Sequence, residues 1–279
     1  MIKPNSLLFG TAGIPISSKK KDTIGGIERV RELNLDAMEL EFVHSINISK
    51  EKAPEVRKTI NEKNVLLTCH APYFINLNAV EPEKKHASIN RILKSAEILS
   101  LANGYSVCFH PGFYLNMEKE KVFETIKENI KKIRKEMDEN NYDVYLRPET
   151  TGKETQFGDL IELLKISQEV NGVMPVIDFS HLHARTNGKY NTYEEFKEIL
   201  ENVEKYLGKE GLNNMHIHLS GINYGEKGEK NHLVLEESDL NYKELIKTWK
   251  EFKIKGVVIS ESPNIEEDAL LMKKTYENL

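Results

Sequence analysis

The segment 173–183 reads VMPVIDFSHLH, and its order of residue types could do chemistry. The apolar run 173–177, with its β-branched residues, reads as a strand buried on both faces. It runs into Asp178, and His181 follows three residues later, oxygen and nitrogen donors of the kind a zinc-like cation binds. Five more apolar runs end in the same way. They deliver His70 in CHAPYFIN, His110 in FHPG, Glu149 in LRPETT, His218 in HIHLSG and Glu261 in ISESPN. Any one of these alone reads as a polar residue meeting solvent at a strand end. Six together, buried and unneutralised, would repel one another, so cations are their natural partners. Mixed imidazole and carboxylate ligation without thiolate suits zinc or manganese better than magnesium, which prefers oxygen-only shells. With His181 the set exceeds what one ion needs. Two or three ions are implied, with a carboxylate such as Glu149 able to bridge two.

The donors need a frame that brings distant strand ends together. Strands are expected at 7–10, 37–42, 65–70, 105–110, 143–146, 173–177, 215–219 and 257–260. Helices are expected between and after them at 23–34, 49–62, 83–101, 117–140, 159–170, 193–206, 242–252 and 265–276. Ile24, Ile27, Val30 and Leu33 set the helical spacing of the first, and Ser49 is placed to cap the second. Strict alternation implies parallel strands with right-handed crossovers. Eight units in 279 residues predict a single (β/α)8 TIM barrel over 1–279 with its metal site at the C-terminal ends of the strands. A doubly wound open sheet is the alternative, but Gly10-Thr-Ala-Gly13 is too short for a dinucleotide fingerprint.

Composition narrows the function classes. A net charge of −5, from 39 basic and 44 acidic side chains, gives no support to a globally basic nucleic-acid binder, although a local basic rim or metal ions can offset phosphate charge. No apolar run of 18 residues and no signal core is present, so a cytoplasmic protein without membrane contact is expected. Two cysteines exclude a disulfide framework. Strand alternation is expected to turn Cys69 and Cys108 toward the helix layer as small packing residues. His216, two before His218, is expected one layer deeper in a core or supporting role. His183 reads as a supporting or loop residue, and His44 and His86 receive no role. Lys19-Lys20-Lys21 and Lys227 with Lys230 are candidate phosphate contacts, or a solvated charge run.

The succession CHAPYFIN, FHPG, PET, DFSH, HLSG and ESPN resembles the endonuclease IV family of abasic-site DNA endonucleases, trinuclear-zinc barrels within the wider xylose-isomerase-like group. The likeness runs from about Leu7 to the C-terminus and is of a divergent, archaeal-looking branch. It implies His70, His110, Glu149, Asp178, His181, His218, His232 and Glu261 as metal ligands, with Glu149 bridging. It implies Tyr73 as a residue that probes DNA. Three departures stand out. The family's Asp-x-His pair becomes Gly228-Glu-Lys-Asn-His232, so Lys230 takes the Asp position unless a small loop shift lets Glu229 substitute. The family's Gly-x-His-x-Ser start is Phe-Gly-Thr-Ala-Gly here, and no Arg follows Phe42 where the family carries one that enters DNA.

The reading these features support is a metal-dependent phosphodiesterase that cleaves damaged double-stranded DNA 5′ to abasic sites, with Glu149 and Glu261 catalytic. It expects Zn2+, two or three ions, or Mn2+, in a monomer. A sugar isomerase or epimerase of the same barrel group is the alternative, although such enzymes need fewer histidines. A non-catalytic metal-holding barrel is the third possibility, favoured by the missing Asp and Arg.

Overall fold

The structure, a computed structural model, describes residues 3–279. In chain order the elements are β1 (Leu7–Ala12), α1 (Thr23–Glu32), β2 (Ala37–Glu41), α2 (Ala53–Lys63), β3 (Leu66–His70), α3 (Pro82–Leu101), β4 (Ser106–Phe109), β5 (Gly112–Phe113) and α4 (Lys119–Glu139). There follow β6 (Tyr145–Pro148), β7 (Gln156–Phe157), α5 (Leu160–Glu169), β8 (Val176–Asp178), α6 (Phe179–Arg185), α7 (Tyr193–Leu212) and β9 (Met215–Leu219). The chain closes with β10 (Gly221–Gly225), β11 (Gly228–Leu233), α8 (Tyr242–Phe252), β12 (Gly256–Ser260) and α9 (Glu266–Glu277).

Eight strands form one parallel sheet in the order β6-β4-β3-β2-β1-β12-β9-β8. Parallel bridges Leu146–Val173 and Glu149–Val176 join its two ends, so the sheet closes on itself as a (β/α)8 barrel. The expected alternation is therefore what the chain builds. Two small antiparallel pairs, β5 with β7 across separate loops and the hairpin of β10 with β11, rise from the loops after the strands, and neither is expected from periodicity. Short α6 is not expected either, because seven residues are too few for a helical period to emerge.

Side chains sort by strand alternation. Leu7, Phe9, Met38, Leu40, Leu67, Cys69, Val107, Phe109, Leu146, Ile177, Ile217 and Val258 point outward into the apolar shell under the helices. A second apolar cluster, with Ala37, Tyr145, Met174 and Val257 among its members, fills the bottom of the lumen. Above it the lumen turns polar, with Glu39, Thr68, Ser106, Arg147 and His216 all fully buried. Arg147 sits over the rings of Tyr105 and Tyr145, 5.1 and 5.0 Å from their centroids, and donates to Pro175 O and Asn214 O.

Local signals are honoured with one exception. Asp159 and Thr192 form capping boxes with Glu162 and Glu195 at α5 and α7. Ser49, expected as the cap of the second helix, stands just ahead of it: its Oγ accepts from Lys52 N at 3.4 Å in the turn that leads into α2. That helix starts at Ala53 with Pro54 in its first turn, and Lys52 supplies no side-chain cap. Proline at the helix start fixes the cap at Lys52, three residues later than Ser49. No helix among the described residues is long and apolar enough to cross a membrane.

Candidate metal centre

The strand ends deliver their donors to one mouth. Glu149, fully buried after β6, stands at its centre. Its Oε2 lies 3.3 Å from His70 Nε2 and 3.3 Å from His110 Nε2. Its Oε1 lies 3.2 Å from His181 Nδ1 and 3.4 Å from His218 Nδ1. The two oxygens thus face two different sets of histidines, the disposition of a bridging carboxylate. Asp178 divides its work: Oδ1 accepts from His181 N at 2.7 Å and caps α6, while Oδ2 lies free toward the site, 3.2 Å from His181 Nδ1. Glu261 Oε1 is 3.2 Å from His218 Nδ1.

A third group lies further out. His181 Nε2 is 3.6 Å from Glu229 Oε2, and His232 Nε2 is 3.8 Å from Glu229 Oε1. His232 comes from β11 and His181 from the first turn of α6. Glu229, not Lys230, is the acid here. The reason is a bulge: Asn223 pairs with Asn231 and Tyr224 with Glu229, which leaves Lys230 as the extra residue, exposed on the hairpin. Plain alternation would have put 230 and 232 on one face. The bulge puts 229 and 232 there instead.

Ligand-type atoms of these residues gather within 4.8 Å of one another in the groups Glu149–Asp178–His218–Glu261, His110–Glu149–His181, His70–Cys108–Glu149 and His181–Glu229–His232. Glu149 Oε1, Asp178 Oδ2 and His218 Nδ1 are buried and, among the described residues, without a hydrogen-bond partner. Buried polar atoms in that condition are costly, and a cation among them would satisfy all three. The residues fit divalent metal with imidazole and carboxylate ligation.

Burial is the largest influence on every titrating group here. It pushes Asp178 up to about 7 against the pull of His181, and Glu41 up to about 8 with the Glu39 charge adding to it. In Glu149 burial is outweighed by His110 and His218, which hold the carboxyl well below its usual range. Glu261 is held at about 2, where His218 outweighs burial. His70 rises to about 9 against burial through Glu149, and burial lowers His216 to about 4.

One expectation is corrected and two residues were missed. Cys108 does not face the helix layer. It stands two residues before His110 and shares its face, and its Sγ lies 2.9 Å from Glu149 Oε2. Cys69, one residue before His70, does pack outward. Glu39 and Glu41 on β2 enter the lumen unannounced, although the sequence Ala-Met-Glu-Leu-Glu carried the signal. In a strand buried on both faces, acids at alternate positions must point into the lumen. Glu39 meets His216 Nε2 at 3.2 Å and His218 Nε2 at 2.9 Å. His183 is tied to Lys189 O at 2.7 Å and to Asp239 at 3.2 Å, and His44 stacks on Phe74. Tyr73 is 52% exposed with its ring 5.0 Å from that of His70. Of the lysine run, Lys20 pairs with Glu28 at 3.2 Å and Lys21 donates to Ile16 O at 2.6 Å.

Comparison with known proteins agrees with this architecture. An uncharacterised protein of Methanocaldococcus jannaschii is 48% identical over 273 residues, covering 98% of each chain. A probable endonuclease 4 of Staphylococcus epidermidis is 27% identical over 181 residues, 63% of this chain and 57% of that one. Among solved structures, endonuclease IV from Thermus thermophilus superposes with a TM-score of 0.74 at 18% identity, over 96% of this chain and all of that one. A D-tagatose 3-epimerase-like protein superposes with 0.70 at 20% identity, over 96% of both. The family model described as xylose isomerase-like TIM barrel matches residues 27–277, and the chain belongs to that family.

Proposed function

We propose that this barrel is a metal-dependent phosphodiesterase of the endonuclease IV kind, cutting DNA 5′ to abasic sites. One observation carries the reading: three groups of ligand-type residues share the single carboxylate of Glu149, and a fourth is joined to them through its neighbour His181. A sugar epimerase of the same family would be served by one such group, Glu149, Asp178, His218 and Glu261. His70, His110 and the trio His181, Glu229 and His232 would then be surplus. Phosphodiester cleavage uses them, because charge must be neutralised on both the attacking and the leaving side.

The residues that would hold the ions are His70, His110, Glu149, Asp178, His181, His218, Glu229, His232 and Glu261. Zinc or manganese bound there would acidify a water molecule and neutralise phosphate charge. Glu149 keeps the two inner groups at fixed spacing. Glu261, whose side chain is 11% exposed at the rim of the cluster, orients the attacking water and accepts its proton. His181, Glu229 and His232 hold the leaving side, where negative charge builds on the sugar oxygen. Tyr73 presents an exposed ring beside His70 and His110, placed to stack against a flipped sugar or its neighbour. Phe74, 64% exposed next to it, extends that face.

The test is a duplex with one abasic analogue, incubated with zinc- or manganese-loaded protein and with Glu261→Gln. A nick 5′ to the lesion, lost in the variant, supports the proposal. Turnover of ketoses without nicking points to the epimerase reading. Retained metal with neither activity sinks both enzymatic readings.

A further inference from the structure

Four histidines of the mouth have one ring nitrogen tied down, and three of them follow one rule. His70 Nδ1 lies 2.7 Å from Ala71 O, His181 Nδ1 3.0 Å from Thr150 O, and His232 Nδ1 3.1 Å from Glu261 O. A carbonyl can only accept, so in each ring Nδ1 carries the proton and Nε2 is left as a lone pair, toward Glu149 in His70 and toward Glu229 in His181 and His232. His218 is turned over. Its Nδ1 faces Glu149 and Glu261 at 3.4 and 3.2 Å, and its Nε2 points down the barrel to Glu39 Oε1 at 2.9 Å. Among the described residues no backbone carbonyl does for His218 what three carbonyls do for the others.

Glu39 is itself held. Thr68 Oγ1 donates to its Oε2 at 2.8 Å, His216 Nε2 lies 3.2 Å from the same oxygen, and Ser106 Oγ stands 2.9 Å from His216 Nδ1. All five side chains are fully buried. Among the described residues no Lys or Arg lies within ion-pair distance of Glu39. A carboxylate at this depth is expensive, and barrel lumens are ordinarily filled by branched aliphatics. We propose that Glu39 is the positioning residue of His218. Its charge, 2.9 Å from Nε2 though off the line of a hydrogen bond, keeps the proton on that nitrogen and so favours the tautomer that offers the Nδ1 lone pair to a cation shared with Glu149, Asp178 and Glu261. This rests on the reading above only in its premise that the cluster holds metal, not in the DNA chemistry.

Removing a group that orients a metal-bound histidine weakens metal binding about 10- to 100-fold. The experiment is cobalt(II) titration of chelator-stripped protein, followed by its visible spectrum and by competition with a chromophoric chelator. Glu39→Gln is expected to weaken the inner site by about 10- to 100-fold and alter its spectrum. The His181, Glu229 and His232 site should be unmoved. Ser106→Ala, which removes the far end of the chain of contacts, should lower the unfolding temperature of the stripped protein and leave cobalt affinity intact. Wild-type affinity in Glu39→Gln overturns the proposal. So does an equal loss in Ser106→Ala, which would mark the network as merely structural. If Glu39→Gln does not fold, Glu39→Asp, which keeps the charge but withdraws it by one methylene, takes its place with the same expectations. Tight cobalt binding by wild type without DNA cleavage would sink the functional reading and leave this one standing.

Discussion

The inner and outer halves of the mouth are built by different means. The inner cluster of Glu149, Asp178, His218 and Glu261 comes from four strand ends locked by the barrel register: Asp178 pairs with His218, and His218 with Ile259, two residues before Glu261. Its contacts are 3.2–3.4 Å, and Glu149, Asp178 and His218 are fully buried. The outer trio draws two of its three members from a hairpin. Its contacts stretch to 3.6 and 3.8 Å, and Glu229 and His232 keep 21% and 26% of their side-chain surface. The hairpin is pinned where Glu229 N donates to Gly152 O at 3.0 Å. A site made by strand register is preorganised by the whole sheet. One made by a docked hairpin depends on a few backbone contacts, so its metal should be the weaker held.

The sharpest way to break that contrast is Glu149→Gln, since both oxygens of this one residue reach different groups. Loss of several kcal/mol of metal-based stabilisation corresponds to roughly 10³-fold in rate. Cleavage should fall by at least about that factor, with more than one metal equivalent missing by elemental analysis. A variant that retained full metal content would show that Glu149 does not bridge.

Gly152→Ala should separate the halves. A Cβ at Gly152 would stand 2.7 Å from Glu229 Cβ and Oε2 and 3.1 Å from His181 Cδ2. Gly228 approaches from the other side with φ 86°, a left-handed conformation that favours glycine. The alanine therefore pushes Glu229 off His181. One metal should become about 10- to 100-fold weaker while the inner metals hold, read by stepwise chelator competition. Equal weakening of all sites would mean the halves are one cooperative unit.

A smaller effect belongs to Asp178 and to the two buried groups beside the inner cluster, Glu41 and His70. In chelator-stripped protein, Asp178 at about 7 and Glu41 at about 8 sit above the ordinary carboxylate range near 4. The folded state then binds more protons than the unfolded one across that window, so stability falls as pH rises through it. His70, raised to about 9, adds stability that is complete below about 6.5 and disappears as pH passes 9. All three act in one direction between pH 6 and 9. The unfolding temperature of stripped protein should drop by several degrees over that range. With saturating zinc the trend should reverse, because ligands must shed protons to bind metal. Identical pH trends with and without zinc would remove the cluster from consideration as a metal site.

The same contrast governs what could be read from sequence. Strand-end donors were legible because an apolar run followed by His, Asp or Glu has one geometric meaning in a parallel barrel. Alternation also explained His216 below His218. It was misapplied to Cys108, whose two-residue spacing from His110 places the thiol on Glu149. It was not applied to Glu39 and Glu41, whose face becomes obvious only once both sides of β2 are known to be buried. The hairpin was beyond reach, since β10 and β11 pair across a bulge that no local propensity marks.

That bulge makes Lys230→Asp the finest discriminator, because its expected effect is none. In a regular ladder, residues 230 and 232 would share a face, and aspartate at 230 would complete an Asp-x-His pair beside His181. The observed pairing skips Lys230, so its side chain leaves on the solvent side and Glu229 takes the inward place. Metal number and affinity in Lys230→Asp should stay within about twofold of wild type, since changes at exposed positions away from buried features are usually within about 0.5 kcal/mol. A gain of tenfold at the outer site would mean the hairpin can slip by one residue. The bulge would then be one of two registers of nearly equal energy, and the acid facing His181 would be chosen by the metal and not by the strand.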